Sequence, residues 1–388
     1  MKPFLKEYSV TITTLSPVYI GSGETINKQE YLYDRKNNTV YIMDIRKMFS
    51  GLNELGYLSQ YEEFILDDTR TDLMNFFSED IRIKPEHYSK WITEKLAVGD
   101  ESRDEKSTLE INTFMKNPYG EAYVPGSSLK GAIRTALIGD YFLKAENETN
   151  SQKYEIEIKE KLKDEKNDSN SLMKDLNKDL SVSVLNKMVF PGTEKKKNKI
   201  EDIVNDTMRG LVISDSEPID NRNLCLCQKI DWDNAGKTHS INILRECIAP
   251  STELKFKITI DSEIFRWTID DIISAINKVF KNVYEPFISK FASAPEINGI
   301  SGNRNILFLG GGTGFVHKTE IYSLMPFDEA VNVTKDILSK TTKKLADKDL
   351  HADDDLKGVS PHILKCTYYN GKYYQMGACE ITSKVENI

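Results

Sequence analysis

The stretch Tyr123-Val-Pro-Gly-Ser-Ser-Leu-Lys-Gly-Ala-Ile-Arg134 predicts the end of a strand, a tight turn and the start of a helix. Its proline and glycine break the preceding segment, and either of its two serines can cap the helix that follows. Apolar residues then recur every four positions at Leu129, Ile133 and Leu137, which predicts one buried helix face. The stretch therefore indicates a strand, a turn and a helix that packs on a core.

The start of this helix has the features of a phosphate-binding site. Ser127 and Ser128 supply hydroxyl groups, and Lys130 and Arg134 lie four residues apart on another face. Unpaired backbone N–H groups and the positive end of the helix dipole lie at the same place. These four side chains therefore predict phosphate binding, although many ordinary helices also begin with a capped turn and carry exposed basic residues.

Two glycine-rich stretches flank this element along the chain, at Gly21-Ser-Gly23 and Gly310-Gly-Gly-Thr-Gly314. Backbone without side chains can wrap a phosphate or let RNA lie flat against it. The second stretch lacks the Lys-Ser/Thr ending of a P-loop and the spacing of a dinucleotide fingerprint. The sequence therefore argues against an NTPase and against a dinucleotide-binding enzyme.

The opening stretch resembles the signature of the RAMP superfamily of CRISPR-associated proteins, Pro-Gly-Ser-Ser-Leu-Lys-Gly-x-x-Arg, and matches it at every position. Leu15–Glu24 is similar to the first strand and glycine turn of that superfamily, and Leu309–Phe315 to its late glycine-rich loop. With Leu211–Pro218, the order and length resemble most closely the fifth-subunit family of the Csm complex, the type III-A CRISPR effector.

This resemblance implies an α+β fold of tandem ferredoxin-like (RRM-type) RAMP domains with a charged helical insertion. We predict an N-terminal RAMP domain at 1–263 with the insertion at about 144–206, and a C-terminal RAMP-like domain with the glycine-rich loop at 264–388. The resemblance also implies a non-catalytic subunit that caps the 3′ end of the guide RNA and supports its maturation. The implied partners are guide RNA, the repeated backbone RAMP subunit and host nucleases.

The RNA-binding prediction combines the helix start with both glycine stretches, and no cofactor, metal or catalytic residue is expected. The predicted RNA-binding residues are Gly21, Ser22, Gly23, Ser127, Ser128, Lys130, Arg134, Gly310, Gly311, Gly312, Thr313 and Gly314. In the backbone subunit, the matching N-terminal turn leads to an aspartate that cuts target RNA. Here Glu24 and Glu30 do not lie where that residue would be, which agrees with a non-catalytic role.

Two other functions stay open at the level of sequence. His317, after the glycine-rich loop, could serve a metal-independent endonuclease that processes guide RNA, or the chain could be a scaffold that contacts only protein. Asp215 could bind a metal, but an aspartate between serines more often caps a turn. Cys225 and Cys227, with His239 and Cys247, could bind zinc or could line a buried strand.

Composition sets further bounds on these functions. The chain has 388 residues, five cysteines and a formal net charge of −8, which argues against nonspecific nucleic-acid binding through bulk charge. Neither a signal peptide nor an apolar run of membrane-spanning length is visible, so we expect a cytoplasmic protein that does not contact membranes. The run Lys195–Lys199 is a further candidate for RNA contact or a solvated loop.

Periodicity predicts the remaining elements. Strands are expected at 8–20 (ended by the first glycine stretch), 211–214, 223–230 and 254–260, helices at 44–97, 267–291 and 327–346, and hairpins around 35–38 and 370–371. In the strand expected at 254–260, Lys255 and Lys257 lie on one face. Such a Lys-x-Lys face is typical of an exposed sheet edge or of an RNA-facing surface.

Overall fold

The computed structural model describes residues 4–67, 69–70, 72–99, 109–163, 169–186, 203–295, 304–346 and 349–384. The run Lys195–Lys199 lies outside them. The strands are β1 Leu5–Thr14, β2 Gly21–Ile26, β3 Tyr31–Asp34, β4 Thr39–Met43, β5 Ile92–Val98, β6 Glu110–Phe114, β7 Leu211–Ile213, β8 Leu224–Asp233, β9 Thr238–Ile248, β10 Glu253–Asp261, β11 Ile306–Phe308, β12 Ile363–Tyr369, β13 Lys372–Gln375 and β14 Ala378–Lys384. The α-helices are α1 Ile45–Glu54, α2 Leu58–Leu66, α3 Leu73–Asn75, α4 Pro85–Tyr88, α5 Gly126–Phe142, α6 Glu148–Lys163, α7 Ser169–Leu185, α8 Ile269–Val279, α9 Glu285–Ile288, α10 Ile321–Leu324, α11 Phe327–Ala346 and α12 Asp354–Lys357.

The first sheet has five antiparallel strands in the order β11-β14-β1-β10-β7. Along the chain, β1, α5, β7, β10, α8 and β14 follow a β-α-β-β-α-β sequence, and α5 packs against α8. The four strands of that unit lie in the spatial order fourth, first, third, second. Mixed helices and strands confirm the α+β fold class.

The second sheet has nine strands and mixed direction. Its main path is β2-β6-β9-β8-β5-β4-β3, with β12 paired to β8 and β13 to β12. The pairs β5–β8 and β6–β9 are parallel, and the others are antiparallel. The first glycine stretch opens β2 at the edge of this sheet, so the prediction that it ends a long strand over 8–20 is wrong.

The division of the chain after residue 263 stays a prediction. The five-stranded sheet draws on both sides of that position, because β1 pairs with β10 on one side and with β14 on the other. The two ends of the chain therefore share one hydrogen-bonded sheet.

Three sequence-based assignments differ from the structure for identifiable reasons. Residues 92–98 form β5 rather than helix, because they pair with β4 and β8. The long strand β9 was missed, since its exposed first half has no apolar alternation. Strand β10 alternates as predicted, but it lies between β1 and β7, so its Lys-x-Lys face is not at a sheet edge.

The predicted helix at 267–291 has an interruption. It begins with the capping box of Thr268 and Asp271, widens into a π-helical turn at Phe280–Tyr284, and resumes as α9. Pro286 lies in the first turn of α9, where its missing N–H is tolerated. The hairpin at 370–371 is confirmed: Asn370 and Gly371 have φ of 47° and 79° and connect β12 to β13.

The charged insertion contains two helices, α6 and α7, that pack on the main core. The buried face of α7 consists of Leu172, Leu176, Leu180 and Val184, spaced four residues apart. The sparse apolar residues of this segment therefore form one stripe, and the charged residues cover the rest. Among the described helices, none is both long and apolar enough to cross a membrane.

Glu320, which precedes α10, predicts a pH-dependent stability. Its carboxyl group is buried, one of its oxygens has no hydrogen-bond partner within the described chain, and burial raises its pKa to about 7. The folded state therefore binds a proton that the unfolded state releases above about pH 4.5, so stability falls as the pH rises from 4.5 to beyond 7.

We expect Glu320→Gln to raise the free energy of unfolding at pH 8 by about 2–3 kcal/mol and to change it little at pH 5. Urea unfolding at both pH values measures this difference. The exposed Glu217→Gln serves as the control, and an equal effect of Glu320→Gln at both pH values would contradict the assignment.

Candidate nucleic-acid interface

Helix α5 starts at Gly126 without a side-chain cap, so the prediction that Ser127 or Ser128 caps it is wrong. Pro125 is the N-cap residue, and the N–H of Ser128 donates to its carbonyl oxygen at 2.9 Å. The N–H of Gly126 donates to Asp215 Oδ1 at 2.8 Å. A carboxylate therefore already satisfies one of the helix N–H groups that could have bound a phosphate.

Gly126 allows a close packing of α5 on the segment after β7. A Cβ atom there would lie 2.3 Å from the carbonyl oxygen of Ile213 and 2.5 Å from that of Ser214. Gly131, by contrast, is exposed, and no atom of the described residues lies within 4 Å of an added Cβ. The close contact made by the helix start is thus with its own protein at Gly126, and open space lies at Gly131.

The two predicted cations of this helix have partners within the protein. Lys130 Nζ donates to the carbonyl oxygen of Leu211 at 2.7 Å, and burial lowers the pKa of Lys130. Arg134 donates to Ser181 Oγ at 2.6 Å and to Asp206 Oδ2 at 2.5 Å. Both side chains therefore hold α5 to β7, to α7 and to the turn that precedes β7.

We expect Arg134→Ala to lower the free energy of unfolding by about 1–2 kcal/mol, since two charge-assisted hydrogen bonds are lost from a partly exposed site. Urea unfolding of the purified protein measures it. Arg222→Ala is the matched control, because Arg222 is exposed and its ion pair among the described residues is with the nearby Asp220. Equal stability of the two variants would show that Arg134 does not hold α5.

The two glycine stretches, in contrast, lie together. The N–H of Gly311 donates to the carbonyl oxygen of Tyr19 at 2.7 Å, and a Cβ atom at Gly310 would lie 2.1 Å from the same oxygen. The Tyr19 ring fills the space between the stretches: a Cβ at Gly21 would lie 2.4 Å from its hydroxyl oxygen, and one at Gly311 would lie 3.0 Å from its ring. Side chains at these glycines would separate the two segments.

Positive φ angles give the second stretch its shape. Gly310, Gly312 and Gly314 have φ of 84°, 78° and 96°, a region that L side chains rarely adopt. Thr313 is buried and its methyl group lies against Gly377.

The first glycine stretch lies on β2. Ser22 Oγ and Thr113 Oγ1 are hydrogen-bonded at 2.6 Å, and Gly23 has a φ of 91° with open space around it.

Arg245, on β9, lies directly beneath this loop. Its guanidinium stacks over the Tyr19 ring at 5.0 Å, and a Cβ at Gly312 would lie 2.2 Å from its Nη1. Its Nε is buried and has no hydrogen-bond partner among the described residues. A half-buried cation that lacks a carboxylate partner is costly unless an anion binds to it.

Three lysines surround this position. Burial, together with the charge of Arg245, lowers the pKa of Lys318, which follows the loop; burial and the charges of Lys365 and Arg245 lower that of Lys229. Lys365 pairs with Asp231 at 2.9 Å, whereas no carboxylate of the described chain lies within ion-pair distance of Lys229 or Lys318. Like charges are therefore held close together here.

We call this surface the glycine-loop cluster, defined as Tyr19, Lys229, Arg245, Gly310–Gly314, Lys318 and Lys365. It combines cations with a glycine-rich backbone segment, which is the chemistry that binds a phosphodiester. The glycines were predicted from the sequence, whereas Tyr19 and the four cations were not. Tyr19 lies inside the motif Leu15–Glu24, and Lys318 follows the glycine-rich loop along the chain. The other three cations are brought here by the pairing of β8 with β9 and β12.

His317 does not have the environment of a catalytic acid or base. Its ring stacks on Phe308 with centroids 3.5 Å apart and contacts Tyr284 at 4.9 Å. Burial, with a smaller effect of Lys318, lowers its pKa to about 3. The imidazole is therefore neutral at physiological pH, which suits a structural side chain better than proton transfer.

The cysteines of β8 and β9 line a buried strand, as one of the two interpretations predicted. Cys225 and Cys227 are buried with their sulfur atoms 3.7 Å apart, next to Cys247 and Met376. Burial raises the pKa of the Cys247 thiol well above its usual value. His239 is exposed further along the strand pair, opposite Asp231.

The sequence model of the RAMP superfamily matches residues 11–316. A protein of Streptococcus thermophilus named "CRISPR system Cms protein Csm5" is 28% identical over 327 residues, which cover 82% of this chain and 81% of the relative. The protein of the same name from Enterococcus italicus is 26% identical over 406 residues and covers 96% of each chain.

Two solved structures share the fold. One is a chain of a cryo-EM structure of a Csm-crRNA-target RNA ternary complex of a type III-A CRISPR-Cas system, with a TM-score of 0.64 and 20% identity. That alignment covers 97% of this chain and all of the other. The second is the crystal structure of T.onnurineus Csm5, with a TM-score of 0.59, 17% identity and coverage of 95% and 99%.

Proposed function

The chain belongs to the RAMP superfamily, and from this premise we propose that it is the Csm5 subunit of a type III-A Csm complex, where it binds guide RNA without cutting it. The names of its curated relatives and the near-complete coverage of both chains support this assignment. A neighbour in fold that comes from a Csm-crRNA-target RNA complex also supports it.

The glycine-loop cluster is the observation that carries the RNA-binding part of this proposal. Arg245 and the lysines around it are concentrated on one small surface of a chain whose net charge is −8. Binding through a local cationic groove, rather than through bulk charge, explains how an acidic protein can hold RNA. Contacts to phosphates and sugars fix the position of a strand without reading its bases, which suits a subunit that must accept any guide.

We propose that Gly310–Gly314 and Gly21–Gly23 let the RNA backbone come close to the protein next to Arg245. The helix start has a secondary role in this proposal. Ser127 is exposed and can reach RNA, whereas Lys130 and Arg134 must exchange their protein partners for phosphates before they can bind it. We therefore propose that the glycine-rich loop contributes more to RNA binding than the start of α5 does.

The position of this subunit in the complex is proposed from its resemblance to the family. We propose that this subunit covers the 3′ region of the guide RNA, packs against the last copy of the repeated backbone subunit, and influences trimming of the guide through host nucleases. The environment of His317, neutral and stacked on Phe308, favours this non-catalytic role over a guide-processing endonuclease.

UV crosslinking with mass spectrometry, on the complex purified through a tag on this chain, tests the proposal. We expect crosslinks between Gly310–Phe315 or Arg245 and the 3′ region of the guide RNA. Co-purified subunits without any crosslink to this chain would favour a protein-only scaffold. A chain that brings down neither RNA nor other subunits would show that the assignment to the Csm complex is wrong.

A further inference from the structure

Three metal-ligating side chains converge beside the short helix α12, on a part of the molecule that the proposed RNA contacts do not use. His351 Nδ1 lies 2.8 Å from Asp354 Oδ2, and His362 Nδ1 lies 2.5 Å from Asp354 Oδ1. One donor atom from each residue lies within 4.8 Å of the other two. Among the described residues, these three lie close enough together to share one metal ion.

The group is buried but reachable. The Asp354 side chain has no exposed surface, and those of His351 and His362 retain 10% and 13%. The two imidazole rings meet at 60° with centroids 5.3 Å apart, so each ring approaches the carboxylate from its own direction. The two ring nitrogens therefore lie against the two different oxygens of one carboxylate, on the same side of the short helix.

The surrounding structure holds these donors in place. Ser360 Oγ donates to Asp354 Oδ2 at 2.7 Å, and the Tyr322 hydroxyl donates to the carbonyl oxygen of Ser360. Lys335 of α11 pairs with Asp355 of α12 at 3.2 Å. The N–H of Asn234, after β8, donates to the carbonyl oxygen of His362 at 3.0 Å. The donors are therefore fixed to α11 and to the nine-stranded sheet at once.

We propose that His351, Asp354 and His362 bind one divalent transition-metal ion of the zinc class. Two imidazoles and one carboxylate are typical ligands of zinc and of its first-row neighbours, whereas calcium and magnesium prefer oxygen ligands throughout. Zinc–ligand bonds of about 2.0–2.2 Å place neighbouring ligand atoms about 3.3 Å apart in a tetrahedron. The nitrogen–oxygen separations of 2.8 and 2.5 Å are shorter than that value, so each imidazole must rotate outward when the ion binds.

The ion has a structural role in this proposal. Each histidine presents Nδ1 to the metal and keeps its proton on Nε2, and water completes the coordination at the partly open side. Bound metal links α12 to the segment that leads into β12. Because Lys365 of the glycine-loop cluster lies on β12, the ion fixes the strand that carries one of the cluster's cations.

Metal uptake by the purified full-length chain tests this proposal. The protein is stripped with a chelator, dialysed, and titrated with Zn²⁺ and Co²⁺, and bound metal is counted by elemental analysis. We expect one equivalent per chain, visible absorption typical of four-coordinate Co²⁺, and a melting temperature that rises until one equivalent is bound. The absorption spectrum of the wild-type protein tests the site without any substitution.

Variants identify the ligands. His351→Gln and His362→Gln keep a hydrogen-bond donor to Asp354 but remove the imidazole, so we expect each to weaken Zn²⁺ binding at least about tenfold. His87→Gln and His239→Gln are the matched controls, because both histidines are exposed and distant in sequence from the site. These controls should bind zinc as the wild type does.

Two outcomes would overturn the proposal. The first is a wild-type protein that takes up no stoichiometric Zn²⁺ or Co²⁺, which would leave the group as a buried carboxylate held by two imidazole hydrogen bonds. The second is uptake that the exposed-histidine controls reduce as much as His351→Gln and His362→Gln do. If the glutamine variants fail to fold, Asp354→Asn and the wild-type cobalt spectrum decide between the outcomes.

Discussion

Replacement of Arg245 by alanine is expected to weaken binding of single-stranded guide RNA by roughly 10–100-fold, which corresponds to about 1.5–3 kcal/mol for hydrogen bonds between a guanidinium and phosphate. The reason is the position of Arg245 beneath Gly312, stacked over Tyr19 and without an ion pair among the described residues. Fluorescence anisotropy with an RNA of the guide's 3′ sequence measures the affinity.

The same substitution is expected to leave the melting temperature nearly unchanged. Arg245 is half-buried, and its Nε has no hydrogen-bond partner in the described structure, so its removal relieves a desolvation cost. This offsets the lost contact with the Tyr19 ring. A residue that serves only stability would give the opposite result, with lower stability and unchanged RNA affinity. The comparison of the two measurements therefore separates a binding role from a structural one.

Salt dependence gives an independent measure of the lost contact. Each phosphate contact to single-stranded nucleic acid contributes about −0.7 to the slope of log K against log salt concentration. We expect Arg245→Ala to reduce the slope by about that amount, and Arg245→Lys to recover part of it. Arg222→Ala, at an exposed arginine paired with Asp220, is the control. If this control and Arg245→Ala weakened binding equally, the glycine-loop cluster would not be the binding surface.

Gly310→Ala is the second substitution with a large expected effect. Gly310 has a φ of 84°, which costs an alanine about 1–2 kcal/mol, and its Cβ would lie 2.1 Å from the carbonyl oxygen of Tyr19. The contact involves backbone on both sides, so the loop must move away from the segment that leads into β2. We expect a loss of at least about 2 kcal/mol in the free energy of unfolding, together with weaker RNA binding.

Gly56→Ala is the matched control for this substitution. Gly56 has a similar φ of 78°, but within the described part of the chain no atom lies within 4 Å of an added Cβ. It therefore carries the conformational cost without the steric contact, and its RNA affinity should be unchanged. Urea unfolding and anisotropy on both variants compare the two effects, and equal results at Gly56 and Gly310 would rule out a special role for the loop's contact with Tyr19.

The sequence located the elements that local patterns specify. The proline–glycine break and the four-residue spacing of Leu129, Ile133 and Leu137 placed α5 correctly, because a buried helix face is a property of neighbouring turns. The Asn370–Gly371 turn and the alternation of β10 were confirmed for the same reason. The quoted motifs also identified the superfamily, because they recur in the same order along the chain.

Elements that depend on distant partners were not predictable in this way. Strand β5 was predicted as helix because its two partners, β4 and β8, are recognised only when the sheet is assembled. The buried apolar face of α7 lies in a segment rich in charged residues, so it could be identified only from its packing on the core. The partners of side chains were also not predictable. Lys130 and Arg134 share a face of α5, as predicted, but they donate hydrogen bonds to the carbonyl oxygen of Leu211 and to Asp206.

The sequence by itself thus determined the fold class, the superfamily and the two glycine stretches, because short-range periodicity and contiguous motifs are properties of the chain alone. Only the tertiary structure decided that these stretches meet at Tyr19 and that Arg245 lies beneath them, with Lys229 and Lys365 close by. These cations come from β8, β9 and β12, and their proximity depends on strand register. The pairing of β8 with β9 is local, whereas the pairing of β8 with β12 joins residues more than a hundred positions apart.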